Sequence, residues 1–125
     1  MATLETATRN AAADAVVDLV DAGVTAGNGT LVFQTATDAA VATLTFSATA
    51  FGAATGGVAT AASITSDTNA TGGTAAQASI FDSDSTKILE ATVGTTGTEI
   101  ILSTLAVGAG DTVSMSSLTV TMPAS

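Results

Sequence analysis

Over residues 44–65 (LTFSATAFGAATGGVATAASIT) apolar and polar positions alternate: Leu44, Phe46 and Ala48 interleave with Thr45, Ser47 and Thr49, and Ala62 and Ile64 with Ser63 and Thr65. Alternation sends successive side chains to opposite faces, so the stretch predicts two β-strands folded back on each other. Residues 51–57 connect them, and the adjacent Gly56 and Gly57 take positive φ at little steric cost. This hairpin is the element around which the rest of the chain is arranged.

The N-terminal pattern is different. Ala12, Ala13, Val16, Leu19 and Val20 recur at three- and four-residue steps, while Asp14, Asp18 and Asp21 fall along another face. That periodicity predicts a helix over residues 4–22. Gly23 stands where a C′ glycine ends it, Thr3 or Thr6 caps its start, and Glu5 lies near the positive end of the dipole. Asp18 and Asp21 sit at the unfavourable end, each costing a few tenths of a kcal/mol on a scale of roughly 0.3–1 kcal/mol. The face of Val16, Leu19 and Val20 must therefore hold the helix, against its own domain or against a partner chain, and these three are the candidate interface residues.

The remaining strands follow from the same alternation. Leu31 and Phe33 mark a first strand, residues 37–38 a turn, and Val41 the start of the next strand. Residues 66–74 (SDTNATGGT) read as an exposed polar loop. Ala76, Ala78 and Ile80, then Leu89, Ala91 and Val93, predict a second hairpin around Asp82-Ser83-Asp84-Ser85, and residues 94–97 turn the chain into a strand at 99–102. In the last segment, 111–122, Val113 and Met115 occupy odd positions but Leu118, Val120 and Met122 even ones. A β-bulge near Ser116-Ser117 would restore one buried face, and Pro123 ends the strand. One helix and about seven or eight short strands predict a single mainly β domain over 1–125, an antiparallel β-sandwich (jelly-roll-like or Ig-like) spanning 29–122 with one N-terminal α-helix. Crossover helices for a parallel α/β sheet are missing.

Composition narrows the function more than the fold. Two basic against eleven acidic residues give a net charge of −9, which disfavours nucleic acid and anionic membrane as partners. No cysteine or histidine is present, and the aromatic residues are four phenylalanines. Catalytic triads, thiol nucleophiles and zinc sites are thereby excluded, and a carboxylate-based glycosidase would lack the aromatics that line sugar clefts. The expectation is a protein that is not an enzyme and carries no cofactor. Asp82 and Asp84 are weak candidates for Ca²⁺, without the glycine and distal glutamate of an EF-hand loop; the plainer reading is a turn whose side chains bond the local backbone. Two Asn-X-Thr triplets, at Asn28 and Asn69, are expected by chance in a threonine-rich chain. The N-terminal residues lack the basic and apolar regions of a secretory leader, and no stretch approaches the ~20 apolar residues of a membrane span. Lysine, the usual guard of exposed strand edges, occurs only at Lys87, so the edges are expected to be covered by partner chains.

Taken in order, AADAVVDLVDAG (12–23), LTFSATAFGAATGGVATAASITSDT (44–68) and IFDSDSTKILEATVGTTGTEI (80–100) resemble a family of small virion structural proteins of tailed bacteriophages and prophages. The resemblance covers most of the chain and rests on Ala/Thr/Gly-rich segments. It implies a capsid decoration (cement) protein, a β-sandwich bound to the outside of the head, with the major capsid protein or other virion proteins and copies of itself, as a trimer, for partners. It also implies assembly into virions in the bacterial host cytoplasm. A tail-tube, tail-tip or fibre-associated component is the alternative within the class. A carbohydrate- or host-binding module is the alternative outside it.

Overall fold

The structure, a computed structural model, describes residues 3–23, 28–96, 100–101, 105–115 and 118–122. It is mainly β with one N-terminal helix, as the periodicities predict. Helix α1 (Thr6–Asp18) tightens into a 3₁₀ turn at Leu19–Asp21. The strands are β1 (Thr30–Gln34), β2 (Ala40–Phe46), β3 (Val58–Thr60), β4 (Ile64–Thr65), β5 (Gly73–Thr74), β6 (Gln77–Phe81), β7 (Lys87–Gly94), β8 (Ile100–Ile101), β9 (Ala106–Val107) and β10 (Thr119–Thr121). The main sheet has the order β4-β2-β1-β6-β7-β8, and β3–β10 and β5–β9 form two small ladders. More strands are present than alternation predicts because β4, β5, β8 and β9 have two residues each, too few to carry a period of their own. Among the described residues all ladders are antiparallel except β7–β8, which pairs Val93 with Ile100 and Gly94 with Ile101 in parallel.

Register explains the core. Leu44, Leu31, Ile80 and Leu89 lie in one row across β2, β1, β6 and β7, and Ala42, Phe33, Ala78 and Ala91 in the next. Phe46 continues the face opposite Ile64 and meets Phe51, the ring centroids 5.5 Å apart. Against this face pack Ala13, Val17 and Val20 of the helical segment, Ala59 of β3, and Leu118, Val120 and Met122 around β10. The result is a sandwich-like second layer that is part helix and part short ladder. On the opposite face of the main sheet, Ser79 and Gln34 are buried polar residues, and Ser79 Oγ donates to Gln34 Oε1 at 2.8 Å. Each thereby offsets the other's desolvation.

The hairpin of residues 44–65 forms, but in two pieces. At its tip the Thr55 and Val58 N–H groups donate to each other's carbonyls at 2.9 and 3.0 Å around Gly56 (φ 61°) and Gly57 (φ 81°). Two positive φ angles make this a type I′ turn, whose twist matches the legs it joins. At its base Thr45 pairs with Thr65 and Phe46 with Ile64. Between them the expected alternation fails: Ala48 and Ala62 are exposed, and Ser47 Oγ donates to the Thr49 carbonyl at 2.8 Å where the chain bends. Burying one methyl group gains only ~0.8 kcal/mol, too little for an alanine to hold a strand face against a local side-chain bond. A Cβ on Gly57 would lie 3.2 Å from the Met122 carbonyl and from Arg9, whereas one on Gly56 meets nothing within 4 Å. Gly57→Ala is accordingly expected to cost at least about 1–2 kcal/mol for its left-handed backbone. Gly56→Asn should stay within about 0.5 kcal/mol of the parent, since asparagine suits that turn position. Urea unfolding of the two variants measures the contrast.

Two further expectations change. The polar loop at 66–74 is laced into the fold: the Asp67 carboxylate accepts the Thr43 N–H at 2.8 Å, Asp67 bridges to Val113, Ala70 is buried, and Gly73–Thr74 is β5. Side-chain polarity does not report where backbone N–H and C=O groups find partners. In the last segment the two phases belong to two pairings, an isolated bridge of Val113 with Asp67 and the ladder of 119–121 with 58–60, and both phases pack partly buried on the core. The bulge expected at Ser116-Ser117 and the strand end at Pro123 lie outside the described residues.

Candidate functional site

The polar stripe of α1 is used internally. Asn10 Oδ1 accepts the Gly57 N–H at 2.7 Å, Asp14 Oδ1 the Ala54 N–H at 2.7 Å, and both Asp21 oxygens the Ala50 N–H at 3.1 Å. Their spacing of four and then seven residues lines them along one side of the helical segment. Residues 50–57 run past it in the opposite direction, offering amides that have few strand partners of their own. Arg9 completes the contact, its Nη1 donating to the Gly56 carbonyl at 3.4 Å and its Nη2 to Thr6 Oγ1 at 3.1 Å. Asp14 and Asp21 are thus clamps on the hairpin, and the expected penalty of Asp21 at the helix end is offset by its two bonds. The expected Thr3 or Thr6 cap is not used: the N-cap residue is Glu5, with no side-chain capping bond.

The candidate interface residues Val16, Leu19 and Val20 do not form one face. Val20 is buried at 1% exposure in the domain's own core, Val16 is half-buried, and Leu19 is 50% exposed. The packed face is Ala13, Val17 and Val20. Val17, four residues after Ala13 and three before Val20, was legible from that spacing. Leu19, two residues after Val17 and one before Val20, falls off that face and is turned to solvent.

Asp82 and Asp84 occupy a tight turn. Asp82 Oδ1 accepts the Asp84 and Thr86 N–H groups at 2.9 Å each, and Asp82 N–H donates to the Thr86 carbonyl at 3.0 Å. This is the geometry of an Asp turn bonding its own backbone. Among the described residues no three acidic side chains converge as a metal site would require.

An apolar groove of about 260 Å³ lies between the β7 end of the main sheet and β10. Leu31, Ala78, Ile80, Leu89 and Ala91 line its sheet side, Leu118 to Thr121 its β10 side, with Ile100 and Glu90 completing it. The volume falls below the roughly 300–1,000 Å³ of small-molecule sites, and the lining offers one carboxylate and no second acid or base. The rim of the groove is guarded at one end. A register shift at Ile88 sets Phe81 opposite Lys87 and Ile80 opposite Leu89, which turns Lys87 to the same face as Glu90. The two form an ion pair at 2.8 Å, and the bond to Glu90 raises the exposed ammonium's pKa. Lysine and bulge stand at the start of β7 and guard that end of it, and β4, at the opposite edge of the sheet, is only two residues long. Beyond Lys87, β8 pairs with β7 only at Val93 and Gly94, so among the described residues the outer side of 89–91 has no strand partner.

Among the described residues no helix is long and apolar enough to cross a membrane. Neither a protein family, nor a curated protein, nor a solved structure matches this chain.

Proposed function

We propose that the protein is a structural component of a tailed-bacteriophage virion, specifically a head decoration protein that binds the outer capsid surface and strengthens it. The observation that carries this reading is the groove between β7 and β10: it is aliphatic and threonine-lined, suited to holding another polypeptide and unsuited to acid–base or metal chemistry. The resemblance of residues 12–23, 44–68 and 80–100 to virion structural proteins supports the same class. A net charge of −9 suits a protein that faces solvent on the outside of a particle, away from packaged DNA. In this role the protein associates with copies of itself, as a trimer, and with the major capsid protein, and it is assembled into virions in the host cytoplasm.

Electron microscopy of virions made with and without the protein, together with its mass in solution, tests the proposal. Extra density on the head, lost on deletion along with resistance of the particle to heat, is the expected result. Density on the tail or fibres moves the assignment to a tail component, and a monomer that binds glycans but no particle overturns the structural class.

A further inference from the structure

The groove has a property beyond its apolar lining: two strand edges face it. β10 bonds to β3 through Leu118, whose carbonyl accepts the Ala61 N–H, and Met122, whose N–H reaches the Gly57 carbonyl. In an antiparallel ladder alternate residues bond to the same side, so the N–H and C=O groups of Thr119 and Thr121 point away from β3, towards the groove they line. On the other bank the Val93 N–H donates to the Ala76 carbonyl of the neighbouring chain segment, which sets Glu90 pointing away from β6. β8 covers β7 only at Val93 and Gly94; among the described residues no strand covers 87–91 on that side.

We propose that this groove is a strand-acceptor site, which takes an extended segment of a different, basic protein as an added β-strand between β7 and β10. Backbone groups of Thr119, Thr121 and Glu90 supply the ladder, and alternate apolar side chains of the guest enter the space over Ile80, Leu89 and Val120. Charge selects the guest. Glu90 at the rim is paired with Lys87, but the domain as a whole carries a net charge of −9, so lysine or arginine flanks of a guest are attracted and a second copy of the same charge is disfavoured in this groove. A second copy would also have to present an edge strand, and the main sheet offers for this the bulged β7 and the two-residue β4. The inference goes beyond the virion reading, because it names the form and charge of the partner segment and stands on the groove alone.

The test uses the whole chain, ¹⁵N-labelled, titrated with a synthetic peptide of alternating valine and threonine carrying lysines at both ends. Matched peptides carry glutamate ends or a central proline. The expected result is amide shifts confined to the neighbourhood of Glu90, Ala91 and 119–121. The lysine-ended peptide should bind at least about tenfold tighter than the glutamate-ended one at low salt, the gap closing as salt rises. Thr119→Pro removes an outward N–H that β3 does not use, and should weaken binding about tenfold while leaving the melting temperature in place. Ala91→Arg, which fills the groove, should do the same. Equal binding of the proline-interrupted peptide, shifts centred elsewhere, or no binding overturns the proposal. A dimer that Ala91→Arg converts to monomer overturns it in favour of a second copy. Particle binding that survives both substitutions removes the groove inference and leaves the virion role standing.

Discussion

Val20→Asp is expected to destabilise the domain by more than about 4 kcal/mol, enough to unfold much of it, while Leu19→Asp on the adjacent position stays within about 0.5 kcal/mol. Val20 is 1% exposed and Leu19 is 50% exposed, so one substitution places a carboxylate in the core and the other in water. A core position offers no compensating partner: the neighbours of Val20 in the buried cluster are aliphatic or phenylalanine side chains. Typical domains have only about 5–15 kcal/mol of net stability, so the first loss is a large share. Val17→Asp should behave as Val20→Asp does, and Val16→Asp, at a half-buried position, should fall between the two extremes. Thermal and urea unfolding followed by circular dichroism rank the four. An equal loss at Leu19 would mean that its exposed face is covered by another chain under the conditions of measurement.

The second large effect belongs to the clamp. Removing the Asp14 carboxylate leaves the part-buried Ala54 N–H without its acceptor, and bonds to charged groups contribute about 1.5–3 kcal/mol. Asp14→Ala should lose that much, and Asp21→Ala a similar amount through Ala50. Asp14→Asn keeps an amide oxygen in the place of Oδ1 and should recover most of the loss, as Asn10 already shows an amide serving Gly57. The triple variant at Asn10, Asp14 and Asp21 should cost less than the sum, because once residues 50–57 lift from the helix the remaining bonds break together. Hydrogen exchange is the more direct readout. The Gly57, Ala54 and Ala50 amides should lose protection in the variants while the β1–β6 ladder keeps its own. If those amides remain protected in the triple variant, the helix does not hold the hairpin.

The proposed virion role draws on the resemblance and the net charge, and the proposed acceptor site on the groove between β7 and β10. The expectation that the chain is not an enzyme comes from its inventory of side chains, which lacks histidine and cysteine. At Asp82 and Asp84 the structure has the plainer of the two readings, a turn in which a side chain bonds the local backbone. Asp82 and Asp84 are two residues apart in sequence, yet Asp82 Oδ1 is occupied by the amides of the turn that it builds.

What the sequence determined by itself was whatever depends on neighbours along the chain. Alternation at Leu31 and Phe33, at Leu44 and Phe46, and at Leu89, Ala91 and Val93 marks strands, because a large side chain fixes which face is buried. The Gly56-Gly57 pair marks the turn, because positive φ is a local demand. The helical repeat marks α1. What only the tertiary structure decided was which element pairs with which, and to what end polar side chains are put. The short ladders β3–β10 and β5–β9 join segments distant in sequence, and no pattern within a two- or three-residue strand names its partner. Asp14 and Asp21 look like a solvent face until residues 50–57 are laid beside them. The lone Lys87 has no evident partner in the sequence until the bulge at Ile88 turns it to the side of Glu90, with which it pairs. In each case the deciding quantity is a long-range backbone hydrogen bond, and a sequence carries the donors and acceptors of such bonds at nearly every residue, so it cannot show which of them meet.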